Sequence, residues 1–130
     1  MVKLYHGSSS ENLQKIVKEG FSLEKIGSGW GTTYGNGIYF SFDSEVAKNY
    51  SDDNNYVEVE VDLKPFHLKN KYSPTNKNDK RMLRKIKINI LSDDLNSFIS
   101  SDKEEVILFD LNAIKSIELI SLFPIIPTTT

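Results

Sequence analysis

The chain has 130 residues, the size of one domain that can bury a core. It is 38% hydrophobic and 26% charged, which is typical of a soluble globular protein, and its net charge of -2 identifies no class of partner. The absence of cysteine excludes disulfides and thiolate metal sites. The two histidines, His6 and His67, are far apart in sequence, so we expect no metal. No apolar run could span a membrane, and no signal peptide precedes the first strand, which predicts a cytoplasmic protein. We expect it to be a monomer.

The first predicted elements are a strand and a helix. Val2–His6 has the composition of a short strand. Ser8 and Glu11 have the spacing of a capping box, so the helix is predicted to begin there and to end at Gly20. Its predicted apolar face consists of Leu13, Ile16 and Val17.

A glycine-rich segment follows this helix. Gly27–Gly37 contains five glycines, with Trp30 and Tyr34 between them. So much glycine favours a loop that approaches a ligand or another backbone closely, and a flexible connection without a role is the alternative.

The segment Tyr34–Tyr50 combines a turn, a strand and a helix. Ile38–Phe42 is aromatic and β-branched, which predicts a strand, and Asp43 is a suitable N-cap for the helix after it. Two tyrosines, Tyr39 on the strand and Tyr50 at the helix end, could face each other as a slot for a flat ring. By residue type alone, ordinary half-buried core residues are the more common case. Val46, Ala47 and Tyr50 are predicted to share one helix face.

The middle of the chain contains the clearest strand and a basic segment. Tyr56–Leu63 alternates strictly between apolar and acidic residues, and Pro65 is predicted to end that strand. Lys64–Lys87 holds nine of the sixteen Lys and Arg residues and a single acid, Asp79. A loop is predicted in its first half and a helix from about Asp79, with Met82, Leu83 and Ile86 at helical spacing. The basic stripe could bind a phosphate backbone or an acidic protein, or it could be a solvated face.

The last part of the chain is predicted to contain one more helix and two strands. Leu91–Ser101 has helical spacing, with Ser92 as its cap and Leu95, Phe98 and Ile99 as its apolar residues. Glu104–Asp110 has the apolar centre of a buried strand, and Ile114–Phe123 is predicted to be the last strand. We therefore expect one α+β domain with antiparallel sheets over residues 1–123, and a loose tail over 124–130.

Three motifs, in this order, resemble the His-Tyr-Glu class of ADP-ribosyltransferases. The match is closest to the catalytic domains of poly(ADP-ribose) polymerases and to small bacterial and phage relatives. Leu4–Ser8 (Leu-Tyr-His-Gly-Ser) resembles the opening motif of that class, and Tyr34–Tyr50 resembles its most distinctive block. Glu105–Asp110 resembles the strand that begins with the catalytic glutamate. The resemblance implies an ADP-ribosyltransferase-like fold, with split antiparallel β-sheets and short flanking helices.

The resemblance also implies roles for the residues of these motifs. NAD, as co-substrate, would bind between the two sheets, and His6 would hydrogen-bond a ribose hydroxyl of its adenosine half. The Gly7 backbone would pair with the nicotinamide carboxamide, while Tyr39 and Tyr50 would enclose the nicotinamide ring. Glu105 would hold the 2′-hydroxyl of the nicotinamide ribose. The implied NAD-binding residues are His6, Gly7, Ser8, Tyr34, Gly37, Tyr39, Ala47 and Tyr50, and the implied catalytic residues are Glu105, His6 and Tyr39.

Departures from the family pattern narrow the predicted activity. Ala47 stands where the polymerases have a serine, and the chain has no regulatory helical subdomain, so single transfer is favoured over chain elongation. Glu104 and Glu105 are adjacent, whereas arginine-modifying members of the class have a Glu-X-Glu motif. A shift of one residue in the register of the strand that begins here would exchange the roles of the two glutamates. The prediction is a mono-ADP-ribosyltransferase, a toxin, phage factor or regulator, with a protein or nucleic-acid acceptor. An NAD glycohydrolase, a non-catalytic module that binds NAD or ADP-ribose, and a structural protein are the alternatives.

Overall fold

The structure is a computed structural model that describes residues 1–22, 37–73 and 76–121. Within this part, strands and helices alternate irregularly along the chain. In chain order, the elements are β1 (Val2–His6), α1 (Ser10–Glu19), β2 (Ile38–Ser41), α2 (Ser44–Lys48), β3 (Tyr56–Val61), β4 (Pro65–His67), α3 (Lys77–Ser92), β5 (Ser97–Ile99), β6 (Glu105–Leu108) and β7 (Ile114–Ile120), with a 3₁₀ turn at Leu111–Ala113 before β7. None of the described helices has both the length and the apolar composition needed to cross a membrane.

Seven strands form one mixed sheet in the order β4-β5-β6-β2-β1-β3-β7. Neighbouring strands are antiparallel except β4 and β5, which run parallel. The predicted α+β class is confirmed, while the prediction of purely antiparallel sheets is wrong for this one pair.

The sheet narrows at its centre. β1 and β2 share a single residue pair, Tyr5 with Ser41, whereas β1 and β3 share five pairs and β2 and β6 share four. The sheet is therefore two larger halves, β4-β5-β6-β2 and β1-β3-β7, that meet at one short contact.

Two apolar clusters cover the two faces of the sheet around β2 and β6. Alternate residues belong to different clusters because side chains alternate along a strand. Phe40, Val106 and Leu108 lie in the first cluster, together with Leu4 of β1. Ile107 lies in the second, with Tyr39 packed against it and with Leu83 and Ile90 of α3 among its members.

Several predicted elements are confirmed with small shifts. The alternation of β3 is confirmed, with Val57, Val59 and Val61 fully buried, and α1 ends at Gly20, whose φ is +83°. The cap of α1 is Ser9 and not Ser8, since the Ser9 hydroxyl accepts from the Asn12 amide. Val17 was assigned to the apolar face, but its side chain is 44% exposed.

Two predictions in the middle and late chain are wrong. Pro65 does not end β3, which stops at Val61; it begins β4, in the segment predicted to be loop. The helix predicted at Leu91–Ser101 does not exist. α3 continues to Ser92, and Ser97–Ile99 is the fully buried strand β5, which pairs on both sides with β4 and β6. Most of the glycine-rich loop and the predicted tail lie outside the described residues.

Candidate active site

The first candidate residue, His6, closes the gap between β1 and β2. Its Nδ1 lies 2.7 Å from the carbonyl oxygen of Tyr39, just where the two strands stop pairing. A carbonyl oxygen only accepts, so Nδ1 donates, and Nε2 of the neutral ring is left as an acceptor. The ring meets Phe21 and Phe40 edge-on, with centroids 5.3 and 5.7 Å away.

Burial sets the protonation state of His6. The desolvation caused by burial lowers the pKa of His6, and the hydrogen bond to Tyr39 raises it by less. The ring is therefore neutral at pH 7, with a fixed tautomer. A neutral imidazole that presents an acceptor nitrogen suits a hydroxyl-bearing ligand.

Gly7 lies against the end of α2. A Cβ on Gly7 would lie 1.7 Å from the Ala47 carbonyl oxygen and 3.3 Å from Cβ of Tyr50. Only glycine fits there, so the end of α2 can pack directly against the backbone that follows β1. Asp43 caps α2 as predicted, since its carboxylate accepts from the Glu45 amide.

The two candidate tyrosines lie in different surroundings. Tyr39 is half-buried in β2 and packs against the second cluster, whereas Tyr50 follows α2 and is 63% exposed. They are linked through the backbone, because Tyr39 binds His6 and Tyr50 abuts Gly7, the next residue. Tyr50 is therefore not on a buried helix face with Ala47, which is 2% exposed. Whether the rings enclose nicotinamide stays a prediction.

Glu105 begins β6 on the same face of the sheet as Tyr39. Ser41 pairs with Glu105 and Tyr39 pairs with Ile107, so Glu105 is the diagonal neighbour of Tyr39 across the β2–β6 ladder. Its side chain is half-buried, and its carboxylate makes no hydrogen bond or ion pair with the described residues. Glu104 lies before the strand and is exposed. The two adjacent glutamates therefore differ in face and in burial.

A tight turn holds the Glu105 backbone in place. The Ser100 hydroxyl accepts from the Glu105 amide at 3.0 Å and donates to Asp102 Oδ1 at 2.5 Å, while the Ser100 amide donates to the Glu105 carbonyl. Partial burial raises the pKa of Glu105, and the charges of Asp102 and Glu104 raise it further. The Ser-Ser-Asp run at 100–102 is a turn signal, but Ser100 and Ser101 were included in the predicted helix and the turn was not predicted.

The remaining predicted site residues surround this centre. Gly37 precedes β2, where a Cβ would lie 2.5 Å from Ile107 Cγ2, so it permits close packing against β6. The Ser8 hydroxyl accepts from the Asn12 side chain at 2.7 Å, which ties it to α1. Tyr34 lies outside the described residues.

β2 connects the predicted site residues, although their side chains do not all lie on the same face of the sheet. Tyr39 and Glu105 share one face of the sheet, whereas the ring of His6 lies with Phe40 on the side of the first cluster. His6 contacts the Tyr39 backbone, not its ring. Among the described residues, no three His, Asp or Glu side chains come together as a metal site.

The pH dependence of folding tests the state of His6. Because its pKa is lower in the folded chain than the ordinary 6.5, the unfolded chain binds the proton more readily, and stability should fall as the pH falls below about 6.5. His6→Asn keeps an amide donor for Tyr39 but does not titrate, so it should flatten this dependence. Urea unfolding between about pH 7 and about pH 5 measures it.

The matched control is His67→Asn, which removes an exposed histidine at the end of β4. Its stability should follow the wild-type pH dependence. Equal slopes for His6→Asn and wild type over this range would contradict a buried neutral ring.

A protein family matches the first part of the chain. The sequence profile of the poly(ADP-ribose) polymerase catalytic domain matches residues 1–83, which is more than half of the chain. The match contains His6, Gly7, Tyr39 and Tyr50 and ends within α3, before Glu105. No curated protein matches the chain significantly. The matched family consists of ADP-ribosyltransferases that use NAD, and the chain belongs to this poly(ADP-ribose) polymerase catalytic domain family.

Proposed function

We propose that the chain is a mono-ADP-ribosyltransferase that cleaves NAD between nicotinamide and ribose and transfers ADP-ribose to a macromolecule. One observation carries the proposal. The half-buried Glu105 has no hydrogen-bond or ion-pair partner within the described residues and lies diagonal to Tyr39, the residue at the centre of the family's most distinctive block. A desolvated carboxylate of this kind is suited to stabilise positive charge on a bound sugar.

Binding of NAD uses the residues around the β1–β2 junction. His6 Nε2 accepts a hydrogen bond from a ribose hydroxyl of the adenosine half, because Nδ1 is already engaged with Tyr39. The Gly7 backbone pairs with the carboxamide, and the rings of Tyr39 and Tyr50 enclose the nicotinamide. The alanine at position 47 supplies no hydroxyl, so the carboxamide is bound by backbone groups alone on that side.

The reaction is a substitution at the anomeric carbon of the nicotinamide ribose. The bond from this carbon to the pyridinium nitrogen breaks, and its electron pair neutralises the nicotinamide, which leaves. The sugar develops oxocarbenium character, which the Glu105 carboxylate stabilises while it holds the 2′-hydroxyl. An acceptor O–H or N–H then bonds to the anomeric carbon and loses its proton to Glu105 or to water. We propose a single transfer and not chain elongation, because Ala47 lacks the hydroxyl of the serine that the polymerases have at this position.

Labelled NAD tests the proposal and separates it from its alternatives. The chain is incubated in a cell lysate with NAD that carries biotin on the adenine side, and nicotinamide release and biotin transfer are both measured. A transferase releases nicotinamide and labels a macromolecule. Nicotinamide without label indicates a glycohydrolase, and binding without nicotinamide release indicates a non-catalytic module. Either result would overturn the proposal.

Glu105→Gln should separate chemistry from binding. The amide keeps the size of the side chain but loses the charge, so kcat for nicotinamide release should fall by about 10²–10³, the usual cost of removing one group that stabilises the transition state. NAD affinity, measured by calorimetry, should stay within a few fold. Glu104→Gln is the matched control and should retain wild-type kcat, because that side chain is exposed before the strand. The reverse outcome, with only Glu104→Gln inactive, would assign the role to Glu104.

Gly7→Ala should abolish NAD binding. The new Cβ would overlap the Ala47 carbonyl, so α2 must move away and carry Tyr50 with it. We expect a loss of about 1–3 kcal/mol in stability from this overpacking and an NAD affinity too weak for calorimetry. Gly20→Ala is the control. Its Cβ meets nothing within 4 Å, but its φ of +83° with ψ of 177° is a conformation that glycine adopts almost alone, so the substitution should cost about 1–3 kcal/mol in stability without affecting NAD. Wild-type NAD affinity in Gly7→Ala would contradict the site.

A further inference from the structure

The outward side of α3 is strongly basic. Its exposed cations lie within an arc of about 140° that excludes the buried Leu83 and Ile90. No ion pair involves them within the described residues, and the one acid of the helix, Asp79, accepts from the Ser73 amide instead. The cations of this surface, named here the α3 basic face, are Lys77, Lys80, Arg81, Arg84 and Lys85.

The α3 basic face lies on the side of the sheet that carries the proposed catalytic carboxylate. The inner side of α3 packs in the second apolar cluster with Ile107, which pairs with Tyr39 and lies two residues after Glu105 on the same strand. Two further cations of the segment reach toward this strand. Lys87 Nζ lies 4.5 Å from the ring centroid of Phe109. In the turn before Glu105, the hydrogen bonds from Ser100 and from the Glu104 amide lower the pKa of Asp102, and the charge of Lys71 makes a smaller contribution in the same direction.

Charge is distributed very unevenly in this chain. Residues 64–87 hold nine of the sixteen cations and one of the 18 acids, although the net charge is only -2. The rest of the chain is therefore strongly acidic. A polyanion is attracted to the α3 basic face and repelled elsewhere, which favours its binding on the side of the sheet that carries Glu105.

We propose that the α3 basic face is the docking surface for the phosphate backbone of a single-stranded nucleic acid, and that this strand is the acceptor of ADP-ribose. The proposal rests on the proposed transferase function. It names the class of acceptor for the same site.

The composition of the surface favours phosphates over an acidic protein. Protein interfaces have apolar centres that are depleted in lysine, whereas surfaces that bind nucleic acid are polar and rich in both Lys and Arg. In α3 the cations form one continuous patch over the first half of the outward side, while the exposed apolar Ile88 and Leu91 lie at the C-terminal end of the helix and Met82 lies beside the patch. The basic helix has no aromatic residue on which bases could stack, so binding should depend on phosphates and little on sequence.

The reaction favours a single strand over a duplex. The reacting O–H or N–H must enter the site beside Glu105, and the bases of a duplex are stacked and paired, so exposing one costs free energy. A single strand can lie along α3 and offer an unpaired nucleotide without that cost.

Fluorescence anisotropy with a labelled single-stranded DNA of about 20 nucleotides tests the surface, because such a strand exceeds the length of α3. Arg81→Gln with Arg84→Gln removes two exposed cations of the basic face and should weaken binding by about tenfold at low salt. The slope of log affinity against log salt should also become shallower by about 1.4, the value for two lost phosphate contacts to a single strand.

The matched control is Lys15→Gln with Lys18→Gln. This pair has the same spacing and the same change in charge, is also exposed and lies on α1. It should bind the strand like the wild type. Equal weakening by both pairs would overturn the proposal, because it would mean that total charge and not this surface decides binding. Competition by polyglutamate as effective as by unlabelled DNA would also overturn it, in favour of an acidic protein partner.

Transfer to the strand is measured separately from NAD cleavage. With NAD labelled in its adenylate phosphate, the label should move onto the oligonucleotide. The Arg81/Arg84 variant should transfer less label to the oligonucleotide. Without oligonucleotide, that variant should release nicotinamide at the wild-type rate. Nicotinamide release with no label on the strand would overturn the acceptor assignment alone. Absence of nicotinamide release would overturn the transferase function and the acceptor with it, and the binding comparison would then still decide whether α3 is a nucleic-acid surface.

Discussion

The candidate site depends on the bond between the His6 ring and the Tyr39 carbonyl. β1 and β2 pair through one residue each, and beyond that pair this side-chain bond joins the two halves of the sheet. Backbone groups left by a strand that diverges must find partners, and here the partner of the Tyr39 carbonyl is the His6 side chain. The same bond fixes the tautomer of His6. It also brings Gly7 to the end of α2 and places Tyr39 between His6 and β6.

Local patterns in the sequence predicted the elements whose stability is local. The alternation of β3, the Asp43 cap and the Gly20 end are each determined by neighbouring residues, and all three are present. The order in which the strands pair in the sheet depends instead on contacts between residues far apart in the sequence. Leu95, Phe98 and Ile99 have helical spacing, but Phe98 and Ile99 form a strand buried between β4 and β6, and periodicity cannot distinguish a short buried strand from a helix. Three consecutive serines at 8–10 are equivalent as caps, which explains the shift by one residue.

The parts of the candidate site that lie in compact sequence motifs could be predicted. Contacts between residues that are far apart in the sequence could not. The tyrosine block and the His-Gly-Ser motif identify the family from the first two-thirds of the chain. The motif after the two glutamates favours Glu105 over Glu104, but the difference in burial and face between them depends on the β2–β6 register. Burial lowers the pKa of His6 and so keeps its ring neutral. It also raises the pKa of Glu105, which the charges of Asp102 and Glu104 raise further.

The central claim is that one NAD molecule contacts both His6 and Glu105 across β2. A crystal structure of the Glu105→Gln variant with NAD tests it most directly. The account predicts nicotinamide between Tyr39 and Tyr50, a ribose hydroxyl of the adenosine half on His6 Nε2 and the 2′-hydroxyl of the other ribose within hydrogen-bond distance of residue 105. NAD bound elsewhere, for example in the shallow polar pocket lined by Lys64 and Asp110, would contradict it.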